Sequence, residues 1–148
     1  MPPCLDIYIA PTDRSTECID RFLAHYADLT TDRLRQDYAV LLTDTMEEVT
    51  TGTLADTLAY GLADPNRSFA LYFTSQQPRY NHVMVYFGHY ERLLLGLSIE
   101  CAEAGTSNQA LAEALLDQLC ADYSTEVGVY GFELAPADAE ERLDPLLQ

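Results

Sequence analysis

Residues 68–99 read SFALYFTSQQPRYNHVMVYFGHYERLLLGLSI, and this run decides the fold. It contains three apolar, β-rich segments, Ser68–Thr74, His82–Phe87 and Arg92–Ile99. The last two are separated only by Gly88-His89-Tyr90-Glu91, the kind of short connection that closes an antiparallel hairpin. Pro78 falls in the polar loop between the first two, where its missing N–H removes no ladder bond. Three strands joined by short turns predict a mostly antiparallel sheet.

Outward from this run, helical and strand patterns alternate. Leu5-Asp6-Ile7-Tyr8-Ile9 alternates as a strand and is closed by Pro11. Thr12 or Asp13 can cap a helix through about Tyr26, with Ile19, Phe22 and Tyr26 on one stripe. Tyr38–Leu42 reads as a second strand. Thr53-Leu54-Ala55-Asp56 has the spacing of a capping box and opens a helix striped by Leu54, Leu58 and Leu62. Gly61 weakens that helix and Asp64-Pro65-Asn66 ends it. Thr106-Ser107-Asn108-Gln109 starts a helix to about Tyr123, Val127–Leu134 is a sixth strand, and Pro136 and Asp138 begin a short helix around Leu143. The order β-α-β-α-β-β-β-α-β-α predicts one α+β domain over residues 1–148, with helices packed on a sheet of about six strands.

Charge narrows the function. The chain carries 24 acidic and 8 basic residues, for a net charge of −16. All the basic residues are Arg, so a lysine nucleophile or Schiff base is excluded. Residues 100–148 concentrate the excess, with 11 acids against one Arg. Such a chain repels phosphate backbones and anionic membranes, and no stretch reaches the roughly 18 apolar residues of a membrane helix. A cationic protein is the favoured partner, and solubility is the plainer reading of the same charge. The start, Met-Pro-Pro-Cys-Leu-Asp-Ile-Tyr, has neither a basic leader nor an apolar run, which predicts a cytoplasmic protein whose Cys4, Cys18, Cys101 and Cys120 are reduced core thiols.

Signatures of chemistry are missing from the sequence. There is no G-x-S-x-G elbow, no C-x-x-C pair and no Walker or G-x-G-x-x-G cradle. His25, His82 and His89 lack metal-ligand spacing, so no metal and no cofactor are expected. Acid pairs such as Glu113 and Asp117 read as a solvated helix face.

The ten tyrosines are more informative. Strand alternation gives one aliphatic face and one bearing Tyr8, Tyr72, Tyr86 and Tyr130 among small residues. That face is either open, as a protein-binding surface, or covered by a further helix. Tyr80 and Tyr90, in loops, add aromatic contacts expected to be exposed. Tyr8, Tyr72, Tyr80, Tyr86, Tyr90 and Tyr130, with Asp117 and Asp122 from the acidic end, form the expected partner-binding set.

The opening Asp6-Ile7-Tyr8-Ile9 strand with Pro11-Thr12-Asp13-Arg14, together with Phe69-Ala70-Leu71-Tyr72 and Leu94-Leu95-Gly96-Leu97-Ser98-Ile99-Glu100, resembles small immunity proteins of bacterial polymorphic-toxin and type VI secretion systems. The resemblance covers about half the chain and consists of packing patterns. It implies a non-enzymatic protein that neutralises a cognate toxin by occluding its active site. Two alternatives stay open: a small-ligand sensor or enzyme using a Tyr/His-lined pocket, and an adaptor or oligomeric subunit such as a homodimer.

Overall fold

In a computed structural model of the chain, residues 4–100 and 106–146 are described. The central run forms the middle of a sheet: β5 (Phe69–Ser75), β6 (His82–Phe87) and β7 (Leu93–Glu100) pair antiparallel in sequence order. β1 (Cys4–Ile9) lies against β7 on one side and β8 (Gly128–Phe132) on the other. The two-residue β2 (Ala27–Asp28) completes the far edge against β5. The order across the sheet is β2-β5-β6-β7-β1-β8, and every pairing is antiparallel. The predicted α+β sheet of six strands is therefore the fold.

One strand sits elsewhere. The predicted second strand, β3 (Tyr38–Leu41), pairs with β4 (Glu48–Gly52) in a separate two-stranded ribbon. The sequence pattern gave no signal for β4, whose residues Glu-Val-Thr-Thr-Gly are only half-buried or exposed.

The principal core lies on one face. Odd-numbered positions of the central strands (Ile7, Phe69, Leu71, Val83, Val85, Leu95 and Leu97 among them) meet three helices there. α1 (Thr16–Tyr26) brings Ile19, Phe22 and Leu23, and its cap is Ser15, whose side chain accepts from the Cys18 N–H. Thr12 and Asp13 thus lie before the cap instead of forming it. α2 (Leu54–Ala63) opens with the expected capping box, Thr53 and Asp56 each accepting from the other's backbone N–H. Gly61 on α2 has a packing reason: a Cβ there would stand 2.7 Å from three ring atoms of buried Phe87. α3 (Thr106–Asp122) adds Ala112, Leu115 and Leu119. The β7–α3–β8 crossover passes over β1, so α3 packs on β1 and β8. Cys101 and the segment before α3 lie outside the described residues.

Candidate functional site

The second face of the sheet is built from the even positions of β1, β5, β6 and β7. Register aligns them in rows: Tyr8, Gly96, Met84 and Tyr72 form one, and Asp6, Ser98, His82 and Thr74 the next. Helix α4 (Pro136–Leu143) lies on part of this face. Its Ala139 and Leu143, with Leu134, bury Tyr8, Met84, Tyr86 and Leu94 in a second, smaller core. The Tyr8 hydroxyl donates to the Leu134 carbonyl at 2.7 Å, and Tyr86 shares a hydrogen bond with Ser68, also 2.7 Å. Burial raises the pKa of both phenols, so both stay neutral.

These placements correct three expectations. Tyr8 and Tyr86 are sealed under α4 and present nothing to a partner. Tyr80 is buried in the principal core, where its hydroxyl donates to the Tyr26 carbonyl at 3.1 Å. Tyr130 belongs to the opposite face, because it pairs with Ile7 while Val129 pairs with Tyr8. Alternation within a strand fixes relative orientation only, and the register against β1 decides which set faces which helix. The Tyr130 ring packs at the margin of the principal core, and its hydroxyl donates to Glu113 at 2.7 Å.

Of Tyr8, Tyr72, Tyr86 and Tyr130, Tyr72 alone is open, with 60% of its surface exposed. It borders the part of the second face that α4 leaves uncovered, a hollow of about 290 Å³ lined also by Asp6, His82, Ser98, Met84 and Glu133. Asp6 is only partly exposed. Burial raises its carboxyl pKa, the charge of Glu133 adds to the rise, and hydrogen bonds from Ser98 and the Leu134 backbone oppose it. Such a carboxylate gains when a cation enters, because the incoming charge replaces lost solvation. Glu133 sits at the rim at φ +48°, accepting from the Cys4 N–H at 3.0 Å. Asp6, Ser98 and His82 lie on three adjacent strands with the hydroxyl in the middle. A hydrolytic triad needs the imidazole between acid and hydroxyl, so this row does not have that arrangement. The sequence already hinted at the hollow: Asp6 shares the strand face of Tyr8, an acid among apolar neighbours.

A second polar cluster ties α4 to the sheet. The His89 ring bonds Glu140 through Nδ1 at 3.1 Å and Asp44 through Nε2 at 2.8 Å, and the His89 backbone N–H donates to Glu140 Oε2. Hydrogen bonds to Glu140 first, then Asp44, raise the His89 pKa. His89 begins the β6–β7 turn, whose central residues Tyr90 and Glu91 both have positive φ, +56° and +63°. That is the I′ geometry usually given to Asn-Gly. Tyr90 is 79% exposed at its tip, as expected.

Other hollows have less to offer a ligand. A 420 Å³ depression includes Arg14 and Arg92. Arg14 donates to the Gly61 and Leu62 carbonyls, however, and Arg92 pairs with Asp144. Asp117 and Asp122 are exposed on α3, on the other side of the sheet from Tyr72, and Asp122 accepts from the Tyr26 hydroxyl at 3.1 Å. The structure does not bring them together with the hollow. Among the described residues Cys4, Cys18 and Cys120 are free thiols, and no helix is long and apolar enough to cross a membrane. Comparison with family models, curated proteins and solved structures found no match to this chain.

Proposed function

We propose that this chain is an acidic protein-binding domain without a bond-making role. Within that class, we propose that it is a cytoplasmic bacterial immunity protein that docks on a basic toxin and occludes its active site. The observation that carries this reading is the net charge of −16 combined with an open hollow where Asp6 and Glu133 stand beside the exposed Tyr72 ring. A Lys or Arg side chain entering there would meet two carboxylates and an aromatic surface, the features that supply association rate and contact energy at inhibitor interfaces. Negative potential around the chain draws in a cationic surface and repels nucleic acid, so the inhibitor competes for a nuclease's substrate cleft without binding the substrate itself.

The test is co-expression with the product of the neighbouring gene. Rescue of growth and co-purification, with association slowed by salt, are expected. Absence of both refutes the reading. A second reading draws on His82 and Tyr72 lining the same hollow: a small-ligand sensor or enzyme. It requires saturable binding of a small molecule that Tyr72→Ala and His82→Ala both weaken, with no effect on toxin neutralisation.

A further inference from the structure

Among the described residues, no strand pairs with the outer edge of β8. Its ladder to β1 is framed by Ala10 N–H to Val127 C=O at 2.9 Å and Glu133 N–H to Cys4 C=O at 2.8 Å. Bonded and non-bonded pairs alternate along an antiparallel ladder. Hence Val129 and Gly131 direct their backbone groups at β1, while the N–H and C=O of Gly128, Tyr130 and Phe132 point away from the sheet. Among the described residues these outward groups have no hydrogen-bond partner. Edges are usually blunted by charge, proline, a bulge or brevity. The opposite edge follows that rule, since β2 has only two residues. Gly128-Val129-Tyr130-Gly131-Phe132 has no charged residue and no proline, and its ladder runs without a shift of register.

We infer that β8 is a docking edge that receives an extended, basic segment of the protein partner as a seventh strand. The inference rests on the protein-binding reading above and adds the mode of recognition. Charge selects the occupant. Glu126 and Glu133 flank the strand, Glu113 is fixed at the Tyr130 hydroxyl, and Asp117 is exposed on the same helix. Arg142 of α4, near Gly131, is the basic side chain alongside. A second copy would bring these acids against their own kind, whereas a strand with Lys or Arg at every second position turns those cations toward Glu113 and Asp117 on the α3 face. Backbone bonds to Gly128, Tyr130 and Phe132 supply register, and the Phe132 ring, 63% exposed, supplies apolar contact.

Outward-facing N–H groups allow a selective test, because proline at such a position blocks the edge without breaking the β1 ladder. The probe is a synthetic peptide of alternating Lys and Val, compared with the same peptide N-methylated at every residue, which removes the donors from both of its edges. The full chain should bind the first by fluorescence anisotropy, with slowed amide exchange at Gly128, Tyr130 and Phe132. Phe132→Pro should weaken binding about ten-fold or more and Phe132→Ala by less than about three-fold, since only proline removes a strand-addition donor. N-methylation should abolish binding, which keeps the test decisive even if Phe132→Pro fails to fold. Equal binding of the two peptides overturns the inference, as does protection at residues 72–74 in place of the β8 edge. So does a sedimenting dimer that Phe132→Pro dissociates, which would seat a second copy there. If wild type rescues growth from the toxin and Phe132→Pro rescues equally, the edge is refuted while the protein-binding reading stands. Failure of wild type itself to rescue removes that reading.

Discussion

Glu140→Gln tests how α4 is fastened over the second sheet face. The Glu140 side chain is only 11% exposed and accepts twice from His89, from the backbone N–H and from ring Nδ1. With Asp44 on Nε2, both ring nitrogens act as donors only when the imidazole is protonated. Because the folded-state pKa of His89 is raised, its contribution is complete below the unfolded value of about 6.5 and is lost as pH rises through the folded one. Glutamine keeps an acceptor for the backbone N–H but turns an amide donor toward Nδ1, which favours the neutral ring. A charge-assisted hydrogen bond contributes roughly 1.5–3 kcal/mol. More than a third of the His89 side chain meets solvent, so screening reduces this to about 1–2 kcal/mol. With a urea slope of about 2 kcal/mol per molar, the midpoint at pH 5.5 should fall by about 0.5–1 M. The gap between wild type and variant should close toward pH 9. Comparing the two proteins cancels the general self-repulsion of so acidic a chain. Parallel stability profiles across that pH range, or an unchanged His89 titration by NMR, would refute the reasoning.

Tyr8→Phe keeps the ring but strands the buried Leu134 carbonyl, and should lower stability by about 1–3 kcal/mol in chemical denaturation. Gly61→Ala should destabilise by about 1 kcal/mol in a thermal melt, because driving a methyl into the Phe87 ring outweighs the gain in helix propensity. Tyr72→Ala should leave stability within about 0.5 kcal/mol of wild type, as for other exposed sites, while raising the dissociation rate of the cognate toxin about ten-fold. An unchanged dissociation rate would place the contact elsewhere. Asp117→Lys should slow association at low salt and flatten its salt dependence in stopped-flow mixing. It is a cleaner probe than Asp122, whose carboxylate also serves the Tyr26 hydroxyl.

Period-two and period-3.6 patterns made the main elements readable, because apolar side chains repeat where a strand or helix faces the core. The hairpin of β6 and β7 and the capping box at Thr53 are local in sequence, so local reasoning finds them. Register between distant strands is not local. Nothing in Val127–Leu134 alone says that Tyr130 must lie opposite Ile7. The cover over Tyr8 and Tyr86 was equally hidden, since it depends on where a short C-terminal helix lands. Tyr80 misled because its neighbours Arg79 and Asn81 are polar, yet its own ring enters the core between α1 and the sheet. The hollow beside Tyr72 exists only as the part of the face that α4 fails to cover.

The Tyr90-Glu91 turn has one more consequence. Two ordinary L-residues in the left-handed region hold conformational energy on the order of 1–2 kcal/mol each, which Asn-Gly would release. A double replacement there should therefore make the molecule hardier while erasing an exposed aromatic ring and a carboxylate from the β6–β7 turn. The backbone of the turn is tied to the body of the protein: Glu91 N–H donates to the Pro65 carbonyl, and the Arg92 guanidinium lies 5.8 Å from the Tyr90 ring. With that backbone already placed, contact through Tyr90 would have chiefly a side chain to order.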